Sequence, residues 1–430
     1  MEVIMPHTVV IADDITGAND IGIMYSKAGL DSVVYSYDKL EQGMEFSDDV
    51  TIIDTNSRFC SYEDAYQRVY EATKRFDKNK VQQFYDKQCS VFRGNIGAEF
   101  DAMLDALNEE FAIVVLGFPD NGRTTLHSIH YVYGTRLEES QFRNDPVHPM
   151  RQSNLVDILQ AQTKRKVSAI PYEVLEQGVE ALQKLLKQMQ KETNYAILDV
   201  RNNDDLSLIA KAVKDYKVIC GSSALGYYLG LLQTRNKKED HIQITQNRNS
   251  KMLCIAGSLT PQTKAQLNYM EKKKYPVLML DTTKLFSEEE RRLEEERILK
   301  EYEAAYQKSD IIVIHSMNKE EDVQNTKRLA ASHHIDNTAV SEMVSYTLAK
   351  LAKQISKQYH IQKYIICGGD TSASFCSRMD IKGMRVIKEI EAGLPICQSI
   401  TMPYDQLILK SGSFGSVEFI EKAKNILTKE

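Results

Sequence analysis

The stretch "KYIICGGDTSASF", Lys363 to Phe375, decides how the rest of the chain is read. An apolar run, Lys363 to Cys367, reads as a buried strand and stops at Gly368-Gly369, and "SASFCSRM" then reads as helix. Between them stand Asp370, Thr371 and Ser372. A tight strand-to-helix turn with Asp370 or Thr371 as N-cap explains them structurally. A ligand site explains them chemically, because glycines admit close backbone approach and helix N-terminal amides bind phosphate. The stretch alone leaves both open, but it defines a unit of strand, glycine turn and helix.

That unit recurs. Candidate strands are "TVVIAD" (8–13), "SVVYSY" (32–37), "VTIIDT" (50–55), "AIVVLGF" (112–118), "YAILDV" (195–200) and "KVICGS" (217–222). Amphipathic stretches such as "SYEDAYQRVYEATKRF" and "LEQGVEALQKLLKQMQKE" lie between them. The segment "QTRNKKEDHIQITQNRNS" (233–250) is polar, aperiodic and linker-like. The pattern restarts with "KMLCIAG" (251–257), "PVLMLD" (276–281), "DIIVIHS" (310–316), "KYIICGG" (363–369) and "LILKSGS" (407–413). The charged run "SEEERRLEEERILKEYEAAYQK" (287–308) reads as a solvated helix with one apolar stripe. This alternation predicts α/β architecture: two α/β domains with mostly parallel sheets and a cleft between them, over 1–235 and 251–430, joined by a linker at 236–250.

Bulk properties narrow the function. At 430 residues the chain exceeds what one core usually serves. A net charge of −6 gives no general basic field for nucleic acid, and no apolar run reaches membrane-spanning length. The start "MEVIMPHTVVIADD" lacks the basic and apolar regions of a signal peptide. Seven cysteines are scattered, odd in number and never spaced C-x-x-C, a pattern of buried reduced thiols. The expectation is a cytoplasmic protein with small-molecule ligands and neither nucleic-acid nor membrane partners. A homo-oligomer is compatible with the sequence.

Ligands of open α/β sheets bind beyond the carboxyl ends of strands. Three such ends in the second half are rich in glycine and hydroxyls: "IAGSLTPQT" with Gly257 and Ser258, "ICGGDTSASF", and "LILKSGSFGS" with Lys410, Ser411, Gly412 and Gly415. Together they favour a phosphate-rich ligand. Neither G-x-x-x-x-G-K-[ST] nor G-x-G-x-x-G occurs, so a nucleotide would be held by a less common arrangement. The first half is polar in another way. "ADDITGANDIG" places Asp13 and Asp14 at a strand end, with capping by Asp14 as the structural explanation. "IIDTNSRF" offers Asp54, Thr55, Ser57 and Arg58; "FYDKQCSVFRGNIGAEF" offers Lys87, Ser90, Arg93, Gly94 and Asn95; "LGFPDNGRTT" offers Asn121, Gly122 and Arg123. Arg58, Lys87 and Arg93 converging beside Asp13 and Asp14 would suit a small polyhydroxy carboxylate. One domain for a small acid and one for phosphates is a kinase layout.

The chain resembles the four-carbon acid sugar kinase family over nearly its whole length. The motifs are "ADDITGAND", "DTNSR", "FRGNIGAEFDAML", "FPDNGRTT", "CGSSALG", "AGSLTPQT", "GGDTSASF" and "LKSGSFG", specific together in this order. The resemblance implies ATP-dependent phosphorylation of threonate, erythronate or 3-oxo-tetronate, with Mg²⁺ assisting. It implies a sugar-acid domain at 1–235 and a nucleotide domain at 251–430. Nucleotide contacts are then expected at Ser258, Gly368, Gly369, Asp370, Thr371, Lys410 and Gly412. Substrate contacts are expected at Asp13, Asp14, Arg58, Lys87, Ser90, Arg93, Gly94 and Asn95. Asp14 is the expected base, with Asp370 competing for that role or holding the metal.

The segment "DKQCSVFRGN" departs from the family pattern, which carries an acidic residue at the place of Cys89, a threonine at that of Val91 and often a lysine at that of Asp86. Phosphoryl transfer is therefore better founded than the acceptor. A sugar-acid- or nucleotide-binding regulator, or an inactive paralogue, is the alternative that Cys89 and Val91 motivate. Phosphatase chemistry on Asp13 or Asp14 is disfavoured, because "ADDITG" has the wrong spacing for D-x-D-x-T.

Overall fold

The computed structural model describes residues 7–41, 43–145, 147–233, 251–402 and 405–429. The linker expected at 236–250 lies outside the described residues. The chain divides into a first unit, Met1–His241, and a second, Ile242–Glu430.

The first unit is built on β1 (Thr8–Ala12), β2 (Ser32–Ser36), β3 (Val50–Asp54), β4 (Gln83–Lys87), β5 (Ala112–Val115), β6 (Arg123–Leu126), β7 (Ile129–Val132), β8 (Thr135–Arg136), β9 (Val167–Ala169), β10 (Tyr195–Leu198) and β11 (Val218–Gly221). Its sheet runs β2-β3-β1-β4-β11-β5-β10-β9, and every pairing is parallel. Strands covered on both faces are apolar throughout, and β1, β3 and β5 are buried at every residue. β6, β7 and β8 form a separate antiparallel sheet.

Chain order reverses at β1, whose neighbours β3 and β4 lie on opposite sides. That is the switch point where open α/β sheets leave a crevice. Register sets Ala12 level with both Asp54 and Lys87, so the polar residues at three strand ends become neighbours.

The second unit comprises β12 (Met252–Ala256), β13 (Val277–Leu280), β14 (Ile311–Ser316), β15 (Lys363–Cys367), β16 (Gly383–Glu391), β17 (Leu394–Ser399) and β18 (Gln406–Lys410), in the order β13-β14-β12-β15-β18-β17-β16. The strands from β13 to β18 in that order are parallel, and β17 and β16 are antiparallel. Here the switch point is β12, flanked by β14 and β15. Cys367 aligns with Ala256 on one side and Lys410 on the other, which brings the three glycine-rich ends level.

The α/β architecture with mostly parallel sheets agrees with the sequence expectation, with local differences. β4 was not foreseen, because "QFYDK" carries polar residues that are nevertheless all buried. The antiparallel pair β16–β17 and the small sheet were also missed. The amphipathic stretch after Leu175 breaks at Gly178, which takes φ +96° between the helices Tyr172–Glu176 and Val179–Met189. The charged helix Glu288–Tyr306 buries Ile298 and Tyr302 as expected, but it also buries Glu294 and Glu295, paired with Arg297 and Lys350.

Gly221 closes β11 at φ +136°, and a β-carbon there would overlap the carbonyl oxygen of Val115 on β5. Left-handed strain and backbone overlap act together. Gly221→Ala should therefore cost at least about 2 kcal/mol, read as a lower denaturation midpoint by circular dichroism. An unchanged midpoint would contradict the close β5–β11 approach.

Candidate active site

At the end of β1, Asp14 is the N-cap of the helix Ile15–Lys27. It accepts from Gly17 N at 2.6 Å and from Thr16 Oγ1 at 2.9 Å. Asp13, which capping leaves unexplained, is gripped by Arg58: Nε donates to Oδ2 at 2.6 Å and Nη2 to Oδ1 at 2.7 Å. The remaining guanidinium nitrogen, Nη1, donates to Asp14 Oδ2. All three side chains are buried. Burial alone would raise the Asp14 carboxyl, but Arg58 and Lys87, with the Gly17 and Thr16 bonds, outweigh it and hold it below its usual range. The backbone repeats the link, since Ser57 N and Arg58 N both donate to Asp13 O.

Lys87, at the end of β4, is buried, bonds Gln88 O at 2.9 Å and lies 3.9 Å from Asp20. Arg93 follows in the next turn. Its Nη1 pairs with Asp145 at 2.7 Å and its Nε donates to Cys89 Sγ at 3.3 Å. Burial would raise the Cys89 thiol, but Arg93 and Arg58 reverse that and lower it. Arg58 and Lys87 act on the acid pair, whereas Arg93 meets Asp145 and Cys89 instead. All three have protein acids as neighbours, so Arg58 and Arg93 do not stand open as the sequence reading expected.

The turn itself is clamped. Gly94 takes φ +111°, with its α-carbon facing Arg58, and Asn95 Nδ2 donates to Ser57 O and Cys60 O at 3.1 and 2.9 Å. Ser90 O accepts from His130 Nε2 at 2.9 Å, leaving Nδ1 to take the Thr125 hydroxyl at 3.0 Å. Burial pushes His130 down to about 3, so it is neutral. Arg123 is buried, donates to Asn121 O and lies 5.0 Å from the Tyr133 ring centroid. It props the neighbouring loop.

Two buried groups, Gln88 and Glu99, escaped the sequence reading. Gln88 Nε2 donates to Asp86 at 2.6 Å and to Glu99 at 2.7 Å. Burial first, with nearby Asp13, pushes Asp86 up to about 8; burial and Asp86 push Glu99 well above its ordinary range. A glutamate on the apolar helix Ile96–Leu107 was the available signal. Asp54, at the end of β3, accepts from Asn56 N at 3.0 Å. Burial, then Asp14 and Asp13, push it up to about 8.

In the second unit the three glycine-rich ends meet. Gly368 takes φ +122° and is the N-cap of the helix Gly369–Arg378. The cap is thus a glycine, and neither Asp370 nor Thr371 fills that position. A β-carbon on Gly257 would overlap the Thr371 hydroxyl, and one on Gly412 would overlap the Ser258 hydroxyl. Ser258 Oγ lies 3.1 Å from Thr260 Oγ1, which bonds Gly412 O at 2.6 Å. Gly369 is half-buried, whereas Asp370 is exposed and accepts from Ser341 Oγ at 2.7 Å. Lys410 is placed differently from a phosphate-facing cation. Its buried Nζ holds Ser411 O, Gly412 O, Phe414 O and Thr263 Oγ1 at 2.8–3.3 Å, so it fastens the loop from beneath. Gln266 does the same for Phe414, Gly415 and Ser416. Gln266 lay among unremarkable helix residues in the sequence.

The charged strand ends of the first unit and the glycine-rich ends of the second fall within two regions that match known families. Residues 8–229 match the sugar-binding N-terminal domain family, and residues 253–420 match the nucleotide-binding C-terminal domain family. The chain belongs to the four-carbon acid sugar kinase family. It is 31% identical over 429 residues to the 3-oxo-tetronate kinase of Haemophilus influenzae, covering 97% of this chain and 99% of that relative. It is 28% identical over 394 residues to the D-erythronate kinase of Heliobacterium modesticaldum, covering 90% and 88%. The crystal structure of the Haemophilus influenzae protein HI1011 superposes with a TM-score of 0.71 at 29% identity, covering 97% of this chain and all of that one. As a member of the family the chain is a sugar acid kinase that uses ATP. Among the described residues no helix is long and apolar enough to cross a membrane. All seven cysteines are free thiols, six of them buried.

Asp54 gives this unit a pH signature. Folded, it keeps its proton up to about 8; unfolded, it loses it near 3.8. Between those values the folded state binds more protons, so this group's contribution to stability falls as pH rises. Asp54→Asn keeps a neutral side chain there. Relative to wild type it should gain stability progressively from about pH 4 to about pH 8, measured as denaturation midpoint against pH. Parallel curves would show that Asp54 is ionised throughout.

Proposed function

We propose that this kinase transfers the γ-phosphoryl group of ATP to a hydroxyl of a four-carbon sugar acid held at the β1 switch point of the first unit. The observation that carries this is the pairing of two differently equipped switch points. Carboxylates and cations close one, and glycine turns with hydroxyls line the other. Asp13, Asp14, Arg58, Lys87, Ser90, Arg93, Gly94 and Asn95 form the acceptor site. Ser258, Gly368, Gly369, Asp370, Thr371 and Gly412 face the nucleotide phosphates, with Lys410 shaping the loop that Gly412 belongs to.

Phosphoryl transfer asks mainly for positioning and charge stabilisation. Asp14, held as an anion by its partners, is suited to accept a hydrogen bond from the acceptor hydroxyl and orient it. Backbone N–H groups at the start of the helix Gly369–Arg378 point where phosphate oxygens are stabilised. Among the described residues no cluster of three or more His, Cys, Asp or Glu could cage a metal. Mg²⁺ needs no such cage, since one or two carboxylates plus substrate phosphates hold it. Asp370, exposed at the phosphate-binding turn, fits as that carboxylate, and the ion would supply charge neutralisation on the phosphates.

Cys89 bears on which acid is preferred. A sulfur bound to Arg93 is a weaker and longer acceptor than a carboxylate, and Val91 offers no hydroxyl. ADP release assayed with threonate, erythronate and 3-oxo-tetronate tests the proposal. Turnover should require an added acid and be weak on threonate and erythronate, and Cys89→Asp should raise kcat/KM on one of them roughly 10-fold or more. Ligand-induced stabilisation without ADP release would favour the regulator reading. Full wild-type efficiency on any of the three would make Cys89 and Val91 neutral.

A further inference from the structure

Both arginines at the acceptor turn already have acidic partners in the protein, which raises the question of what meets the carboxylate of an acid substrate. Beside that turn is a cavity of about 370 Å³, within the range of small-molecule sites. Its lining mixes apolar residues, among them Phe92, Met150 and Ile158, with Gly94 and the polar His148, Arg151, Gln152 and Gln162. It adjoins the acid–arginine cluster directly. A β-carbon on Gly94 would stand 3.0 Å from Arg58 Cγ, and the His148 ring hydrogen-bonds the Arg58 main chain and stacks on Phe59 with centroids 5.3 Å apart. Asp145, which pairs with Arg93, begins the segment that carries His148 and Arg151.

Arg151 is the one charged side chain in that lining, is exposed, and makes no hydrogen bond or ion pair among the described residues. The other cations nearby are engaged: Arg58 by Asp13 and Asp14, Arg93 by Asp145 and Cys89, and Lys87 by Gln88 O beside Asp20. His148 adds no charge at neutral pH, because burial lowers it. A solvated surface arginine is the ordinary alternative; against it, no other side chain of the lining brings a fixed charge to this cavity. We propose that Arg151 binds the carboxylate of the acceptor and thereby selects acids over neutral polyols and amides. This rests on the first unit being the acceptor-binding half.

The guanidinium fork takes a carboxylate bidentately, which an ammonium reproduces only in part. Kinetics with the best turned-over four-carbon acid and its carboxamide test this in wild type, Arg151→Ala and Arg151→Lys. Arg151→Ala should raise KM for the acid roughly 10- to 100-fold, leave KM for ATP in place, and abolish the preference for acid over amide. Arg151→Lys should recover part of that preference. Unchanged acid KM and preference in Arg151→Ala, with wild type active, would overturn the Arg151 assignment and leave the kinase proposal standing. Absence of turnover by wild type on every acid would remove the acceptor reading and this assignment with it.

Discussion

The bidentate grip of Arg58 on Asp13, shared with Asp14, is the constraint around which the first unit's site is arranged. Three charges are withdrawn from water at the end of β1, and such a cluster persists only when each is paired and hydrogen-bonded. Here each is. The same contact fixes the loop after β3 to the end of β1, and that loop supplies two of the carbonyls that hold Asn95 and the turn behind it. Register makes the arrangement possible, because a shift by one residue in either strand would send Asp54 or Lys87 to the opposite face.

From that follows a division of labour among the cations. Arg58 lowers the Asp14 carboxyl, and Arg93 with Arg58 lowers the Cys89 thiol, so these cations shift protein groups toward their anionic forms. At Asp54, Asp86 and Glu99 burial and neighbouring acids outweigh what partners they have, Lys87 beside Asp86 included, and drive them toward their neutral forms. Two kinds of carboxyl thus sit within a few residues of one strand end: anions that accept hydrogen bonds, and protonated acids that can donate them. The second unit uses almost no charge. Glycines, hydroxyls and a helix N-terminus gather at its strand ends, and the buried cation there, Lys410, is turned toward loop carbonyls.

Much of this was legible in the chain. Alternating apolar runs gave most of the parallel strands, because strands buried on two faces carry no competing pattern, and the glycine-rich strand ends read in the second half do come level in the fold. Asp14 as a cap could be read from its place before the helix. Partner choice could not. Nothing in "DTNSRF" says that Arg58 will turn back onto residues forty-five positions earlier, and Asp145 lies in a stretch with no periodic signal. The strand "QFYDK" was missed for a related reason: apart from Gln88 beside it, the groups that satisfy its polar residues, Asp20 and the carbonyls of Lys214, Tyr216 and Ser222, lie far away in sequence. Local pattern reports burial well and long-range polar pairing hardly at all.

A double-mutant cycle on Asp13→Asn and Arg58→Met, read by chemical denaturation, tests most directly whether Arg58 is an internal partner. Each single change should destabilise by about 3–5 kcal/mol, because it strands a buried charge. The double mutant should cost less than the sum, with a coupling of up to about 3 kcal/mol. Additive effects, or an Arg58→Met protein of normal stability that has lost only its affinity for the sugar acid, would mean that Arg58 serves the substrate and that the acid pair is held by other means.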